Sequence, residues 1–258
     1  MRVTGQGIWG EPPNPEECRR VLRRALELGV NFIDTADSYG PEVSERLIAE
    51  TLHPYPDGLV IATKGGLLRP GPGVWEPDGR PEHLRAACAG SLRRLRVETI
   101  DLYQFHRPDP KVPFEDSLGA LIRLQSEGKV RMIGLSNVSV EQLDAAVRMT
   151  DIASVQNRYN VGDHRSEAVL DRCEQLGIPF LPWAPLSAGR VDEESPQVRA
   201  IAERKGVTPH QLALAWLLRR AGVMLPIPGT AGVAHLEENV AAAAIELDDQ
   251  EWKALLAP

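Results

Sequence analysis

Leu59-Val60-Ile61-Ala62-Thr63 is an apolar, β-rich run that stops at Lys64, and Ile100-Asp101-Leu102-Tyr103-Gln104-Phe105 is a second that stops at His106. Between them, Pro81 to Leu95 carries apolar residues at helical spacing. A strand, an amphipathic helix and another strand imply a crossover between parallel strands. Runs apolar on both sides imply a sheet covered on both faces. The same alternation extends outward. Further strands are expected at Asn31 to Asp34, Arg131 to Leu135, Ser154 to Gln156, Pro179 to Trp183 and Val223 to Ile227. Helices are expected at Pro15 to Leu28, Ser44 to Leu52, Phe114 to Glu127, Val140 to Met149, Glu167 to Leu176 and Pro209 to Arg220. Gly29 and Gly177 follow helices as C′ residues, and Ser139 and Thr208 precede helices as N-caps. An eighth strand, first in order, would be the short Met1 to Thr4. Eight β/α units in 258 residues predict an α/β chain of one domain, 1–258, folded as a (β/α)8 TIM barrel.

Composition narrows the function. Hydrophobic residues make up 43% and charged residues 25%, which is the balance of a globular domain. No apolar run reaches the ~20 residues of a membrane span, and the start does not resemble a signal peptide. A net charge of −7 speaks against a nucleic-acid partner. Cys18, Cys88 and Cys173 are odd in number and far apart, which fits a reducing cytoplasm rather than a disulfide framework or a zinc site. The six histidines are scattered without ligand spacing, so no metal is expected.

Gly5-Gln6-Gly7-Ile8-Trp9-Gly10 matches the GxGxxG pattern, and Asp34 follows roughly 24 positions later. The dinucleotide fingerprint needs its third glycine inside the first helix. Here Glu11-Pro12-Pro13-Asn14-Pro15 intervenes, and the helix is expected to begin at Pro15 with Asn14 as its cap. The glycines belong to a loop. None of the four tyrosines has a lysine four positions on, as a short-chain reductase would require.

Four polar residues mark three consecutive strand ends. Asp34 closes the second strand and Tyr39 follows in its loop. Lys64 closes the third strand and His106 the fourth. Barrel active sites form at the C-terminal ends of strands, so these four are expected at one mouth. Singly, each has an ordinary reading: turn residue, packing aromatic, surface ion-pair partner, structural histidine. Together they suit proton transfer to a carbonyl oxygen. An ammonium lowers the pKa of a phenol, a carboxylate holds the ammonium, and an imidazole orients the carbonyl. The segment Leu68 to Gly79, rich in Pro and Gly and carrying Trp75, is expected to overhang that mouth.

Asp34-Thr-Ala-Asp-Ser-Tyr39-Gly, Ala62-Thr-Lys64-Gly-Gly and Tyr103-Gln-Phe-His106-Arg-Pro resemble motifs of the aldo-keto reductase family. So do Ile133-Gly-Leu-Ser136-Asn137, Val155-Gln156-Asn-Arg-Tyr159-Asn, and Ile227-Pro-Gly-Thr230 with Glu237-Glu-Asn239. The resemblance spans nearly the whole chain, with a bacterial branch of pyridoxal reductases and pyridoxine dehydrogenases the most similar. It implies a barrel that reduces small aldehydes and ketones with NADP(H). Tyr39 would be the acid, tuned by Lys64 and Asp34, and His106 would orient the carbonyl. Ser136, Asn137 and Gln156 would hold the nicotinamide carboxamide, and Trp183 would stack on the ring. Leu186, Ser187 and Gly189 would meet the pyrophosphate. Gly229, Thr230, His235, Glu238 and Asn239 would meet the adenosine end. Trp9, Trp75 and Arg107 are candidate substrate residues, Arg107 for an anionic group.

The chain departs from the family pattern in places. Gly229 and His235 stand where the family has a lysine and an arginine for the 2′-phosphate, which leaves NAD(H) open beside NADP(H), with Arg190 as a substitute cation. A shortened first strand without the family's N-terminal hairpin is expected. The segment Leu186 to Ser195 is short for a belt over the cofactor, so fast cofactor exchange is expected. A catalytically weak, cofactor-binding regulatory protein on the same barrel is the alternative reading. Oligomeric state is not legible.

Overall fold

The computed structural model describes residues 3–187 and 196–256. The chain divides into two compact units, Met1–Ser154 with Gly229–Val233, and Val155–Pro228 with Ala234–Pro258.

In the first unit, α1 (Pro15–Glu27), β1 (Phe32–Asp34), α2 (Val43–Leu52), β2 (Val60–Gly65), β3 (Leu67–Leu68), β4 (Glu76–Pro77), α3 (Pro81–Leu95), β5 (Ile100–Phe105), α4 (Phe114–Ser126), β6 (Val130–Ser136) and α5 (Val140–Val147) follow in order. β1, β2, β5 and β6 pair in parallel, and each is joined to the next through a helix. The register sets Ile33 beside Ile61 and Lys64 beside Gln104. These strands are buried almost end to end, as a sheet covered on both faces requires. Val3, Cys18, Leu22, Ile33, Leu47, Ile48, Leu52, Ile61 and Leu95 form one apolar cluster beneath α1 and α2.

Local chemistry explains the boundaries. Asn14 caps α1, its side chain accepting from the Glu17 amide at 3.1 Å, with Pro15 in the first turn. Gly29 takes φ +82° just past the helix end. Ser139 and Gln142 form a reciprocal capping box at α5. Gln6–Ile8 is a single 3-10 turn with Gly7 at φ +68°, so the GxGxxG match is a loop. β3 and β4 form a two-residue antiparallel ladder within the expected Leu68 to Gly79 overhang. At Gly66 (φ +108°) a Cβ would lie 2.9 Å from the Phe105 ring, so that turn requires glycine.

The strand β7 (Ser154–Gln156) carries the chain into the second unit, which adds α6 (Glu167–Leu176), α7 (Pro196–Lys205), α8 (Pro209–Arg220), α9 (Val233–Ala241, whose first residue belongs to the first unit) and α10 (Asp249–Leu256). Thr208 and Gln211 form a second capping box, at α8. Phe180 bridges in parallel to Val155 and to Met224. Tyr159, His164 and Trp216 stack on one another, and Trp216 stacks on Trp252 at 5.5 Å between centroids.

Three strand expectations are corrected. Pro179 to Trp183 and Val223 to Ile227 are not continuous strands; each enters the ladder through isolated bridges at Phe180, Trp183 and Met224. Pro179, Pro182 and Pro226 lack the amide hydrogen that a continuous ladder needs. Over Val3 and Thr4 no strand forms, although Val3 is fully buried in the apolar cluster. Met1 and Arg2 lie outside the described residues. Parallel strands alternating with helices are consistent with an α/β barrel. No helix among the described residues is long and apolar enough to cross a membrane.

Candidate active site

Asp34 is the last residue of β1, Lys64 lies one residue from the end of β2, and His106 follows β5 directly. Tyr39 sits in the turn from β1 to α2. Backbone bonds fix these ends together. The Thr35 amide donates to the Ala62 carbonyl at 2.8 Å, Asp37 to Lys64 at 3.3 Å, and His106 to Gly65 at 2.9 Å.

Lys64 is the hub. Its Nζ donates to Asp34 Oδ2 at 2.6 Å, to the Thr35 carbonyl at 2.8 Å and to the Tyr39 hydroxyl at 3.5 Å. The Lys64 side chain is 0% exposed and that of Asp34 4%. A buried pair is tolerable when its remaining polar capacity is met, and here all three ammonium hydrogens have acceptors. Burial pulls the Lys64 pKa down, but the Asp34 carboxylate and the Tyr39 phenol outweigh it and hold the ammonium above its usual value. Gln104 Nε2 donates to the other Asp34 oxygen at 2.8 Å, so the carboxylate is fixed from two sides.

Burial pushes the Tyr39 phenol above its ordinary pKa, and the Lys64 ammonium pulls it back only in part. The lysine acts in the expected direction, but the net shift is upward. Burial, then Lys64, Arg107 and Arg69, hold the His106 imidazole well below its usual range, so it is neutral near pH 7. Its Nδ1 lies 3.4 Å from Ser38 Oγ. The Tyr39 and His106 rings meet edge-on at 5.9 Å. A neutral imidazole and a protonated phenol, side by side, form a pair of hydrogen-bond partners for a carbonyl oxygen.

Trp75 closes on this pair, with its ring centroid 6.4 Å from both Tyr39 and His106. Trp9 is reached through Arg69, whose guanidinium lies 3.6 Å from the Trp75 ring centre and 5.3 Å from that of Trp9. The two expected mouth tryptophans therefore share one cation. Arg107 is half-buried beside His106.

Beyond β6, Asn137 adopts φ +59°, and its amide donates to the His106 carbonyl and to Ser136 Oγ, each at 3.0 Å. The Ser136 hydroxyl and the Asn137 carboxamide are thus held together next to the His106 backbone carbonyl. Thr230 is buried, and its Oγ1 accepts from the Gly232 amide at 3.1 Å, while Gly229 is exposed. The Val233 amide, at the start of α9, donates to Glu17 Oε1 at 3.1 Å. A carboxylate thus sits at the end where an anionic phosphate was expected.

In the second unit, Gln156 is buried. Trp183 is half-buried, its amide donates to the Asn157 carbonyl at 3.0 Å, and Arg158 lies 5.4 Å from its ring centre. Leu186 is half-buried and Ser187 buried, the latter at φ +49°. His235 is exposed on α9, with Glu238 and Asn239 half-buried. Gly189 and Arg190 lie outside the described residues.

Sequence reading missed Gln104 and Arg69. Gln104 stands two residues before His106 on a strand, hence on the same face, and period two alone would have found it. Arg69 carries no such signal; only the tertiary placement of Trp9 and Trp75 reveals it.

A model of the Aldo/keto reductase family matches residues 1–257. An uncharacterized oxidoreductase of Schizosaccharomyces pombe is 49% identical over 255 residues, covering 99% of this chain and 83% of that protein. Pyridoxine 4-dehydrogenase of Escherichia coli is 39% identical over 257 residues, covering 97% of this chain and 89% of that protein. A crystal structure of an aldo/keto reductase from Klebsiella pneumoniae in complex with NADP and acetate superposes with a TM-score of 0.83 at 28% identity, covering 98% of this chain and 88% of that one.

Proposed function

The chain belongs to the aldo/keto reductase family of oxidoreductases, and from that premise we propose that it reduces an aldehyde or ketone to an alcohol, with Tyr39 as proton donor. The observation that carries this reading is the Tyr39 hydroxyl standing 3.5 Å from a buried Lys64 that Asp34 holds at 2.6 Å. When bound, NADPH supplies the reducing electron pair. The carbonyl oxygen accepts hydrogen bonds from the Tyr39 hydroxyl and the His106 imidazole. As the oxygen gains negative charge, the proton leaves Tyr39, and the adjacent Lys64 ammonium stabilises the phenolate left behind. Asp34 keeps the ammonium in place.

NADP(H) is favoured by the NADP-bound Klebsiella relative and by Thr230 at the start of the α9 region. Ser136, Asn137, Gln156 and Trp183 are proposed at the nicotinamide. Leu186 and Ser187 are proposed at the pyrophosphate, and Gly229, Thr230, His235, Glu238 and Asn239 at the adenosine end. Pyridoxal is the proposed substrate, after the pyridoxine 4-dehydrogenase relative, with Trp9, Trp75 and Arg107 lining its approach. The enzyme would be an NADP-dependent carbonyl reductase built as a single barrel domain. Its three buried, unpaired cysteines suit the cytoplasm.

The test is a titration with NADPH and NADH followed by tryptophan quenching, then turnover with pyridoxal and benzaldehyde. Quenching with oxidation of the cofactor supports the reading. Tight binding without turnover of either aldehyde supports the regulatory alternative.

A further inference from the structure

Arg69 is a cation for which the carbonyl chemistry has no use. It is 9% exposed. Nη1 donates to the carbonyls of Ile8 and Ser38, both at 3.1 Å, and Nη2 donates to the Gly7 carbonyl at 3.3 Å. All three acceptors are neutral, and among the described residues no carboxylate lies within ion-pair distance of Arg69. Arginine cannot shed its charge, so this is a buried cation without a counter-ion. Its Nε is closed from solvent and has no acceptor at all.

A guanidinium offers five N–H bonds. Three are met here. The unmet capacity is the Nε hydrogen and one hydrogen of Nη2. Nε and Nη2 share one edge of the guanidinium, and that edge grips two oxygens of a carboxylate or phosphate at once. The location is also informative. Trp75, stacked at 3.6 Å on Arg69, has its ring 6.4 Å from those of both Tyr39 and His106, and Ser38, which accepts from Arg69, precedes Tyr39 in the chain. The unmatched charge therefore stands one aromatic ring away from the proton donor. Trp75 follows Pro70, Pro72, Gly73 and Val74, all exposed, so the ring that shields the guanidinium hangs on a segment with little packing to hold it.

We propose that Arg69 selects carbonyl substrates bearing an anionic oxygen pair, a carboxylate or a phosphate, which enters beside Trp75 and completes the open edge of the guanidinium. This deepens the carbonyl-reductase reading and rests on it, with an anionic carbonyl preferred over neutral pyridoxal. It assigns to Arg69 the anion recognition that sequence alone had placed on Arg107.

The full chain and its Arg69→Met, Arg69→Lys and Arg107→Ala variants are assayed with NADPH on matched pairs: benzaldehyde against 4-carboxybenzaldehyde, and pyridoxal against pyridoxal 5′-phosphate. The readout is the ratio of kcat/KM for the charged member to that for the neutral one. Because hydrogen bonds to charged groups are stronger than neutral ones, Arg69→Met is expected to lower the ratio by about tenfold or more, through KM. Arg69→Lys, which keeps the charge but not the fork, is expected to recover part of it. A response confined to one pair identifies the anion as carboxylate or phosphate. Equal loss on both members of each pair would mean that Arg69 only braces the mouth, and would overturn the proposal. So would a fall with Arg107→Ala and none with Arg69→Met. Benzoate titrated without cofactor gives a second readout: the tryptophan emission is expected to change in the parent and not in Arg69→Met, and identical titrations count against the proposal. If benzaldehyde is turned over but the ratios do not move, the anion selection fails while the reductase reading stands.

Discussion

The Lys64 ammonium lies 2.6 Å from Asp34 but 3.5 Å from Tyr39, so the carboxylate holds it firmly while the phenol meets it only at the outer limit of a hydrogen bond. This asymmetry keeps Tyr39 a phenol in the resting protein, because burial raises its pKa more than the distant ammonium lowers it. A proton donor must begin protonated. The Lys64 charge acts most strongly once the proton has gone.

Tyr39→Phe removes the only atom of that side chain that can carry the proton. Carbonyl reduction is expected to fall ~10²–10⁴-fold, with the Kd for NADPH nearly unchanged. Steady-state oxidation of NADPH and tryptophan quenching read the two quantities separately. Wild-type turnover in the variant would remove Tyr39 from the mechanism.

Lys64→Met leaves the buried Asp34 carboxylate without its cation. A loss of ~3–5 kcal/mol is expected, seen as a lower urea midpoint at constant m-value. The pair also sets an alkaline limit. The folded-state pKa of Lys64 is raised above the reference 10.5, so its contribution is complete below that pH and is lost as pH rises through the folded value. The variant is expected to show a flatter stability profile above pH 10.5.

Asp37 behaves in the opposite sense to a paired carboxylate. Burial and the nearby Glu45 charge raise its pKa from 3.8 to about 8, and one of its oxygens is buried without a partner. As pH rises from 3.8, the unfolded chain releases this proton first, so stability drops until about pH 8. Asp37→Asn is expected to remove that slope and to be more stable than the parent at pH 8, with less advantage at pH 4. Parallel melting curves for the two proteins across this range would contradict the assignment.

Gln104→Leu takes one donor away from Asp34. The carboxylate then loses one of its restraints, and the position it sets for Lys64 is loosened. A fall in kcat worth about 1–3 kcal/mol is expected, with KM close to the parent value and the alkaline limb of the kcat profile displaced. Gln104→Asn, which keeps the amide on a shorter arm, should recover part of the loss. A change in KM alone would assign Gln104 to substrate contact instead.

Glu17→Gln tests the nucleotide preference. The Glu17 carboxylate accepts from the Val233 amide, at the end of α9 proposed to face the adenosine. Removing a negative charge from this helix end is expected to tighten NADPH more than NADH, because the 2′-phosphate is repelled more strongly than a hydroxyl. Equal tightening of both nucleotides would place Glu17 away from the 2′-phosphate.

The sequence was most readable where chemistry and strand periodicity coincide. Asp34, Lys64 and His106 fall at or just past the ends of apolar runs, where a parallel sheet presents polar groups, and Tyr39 follows at loop distance. The structure brings all four together. The helix at Pro15 was legible because Asn14 and the prolines before it break the dinucleotide pattern. Pro179 to Trp183 has the apolar content of a strand, but its prolines lack amide hydrogens and reduce the stretch to isolated bridges. Arg69 lay beyond reach because its burial is created by Trp9 and Trp75, neither adjacent to it in the chain.

The stacked Trp216 and Trp252 rings lie in the second unit, while Trp9 and Trp75 flank Arg69 in the first. Two indoles 5.5 Å apart and tilted by 24° couple their transitions, which gives a paired circular-dichroism band that isolated indoles lack. The chain thus carries two optical reporters of different kinds. The coupled band follows the packing of the second unit, and the share of the five-tryptophan emission that comes from Trp9 and Trp75 follows events beside Tyr39. One label-free sample can therefore show whether the two units melt together or in sequence, and which of them a nucleotide steadies first.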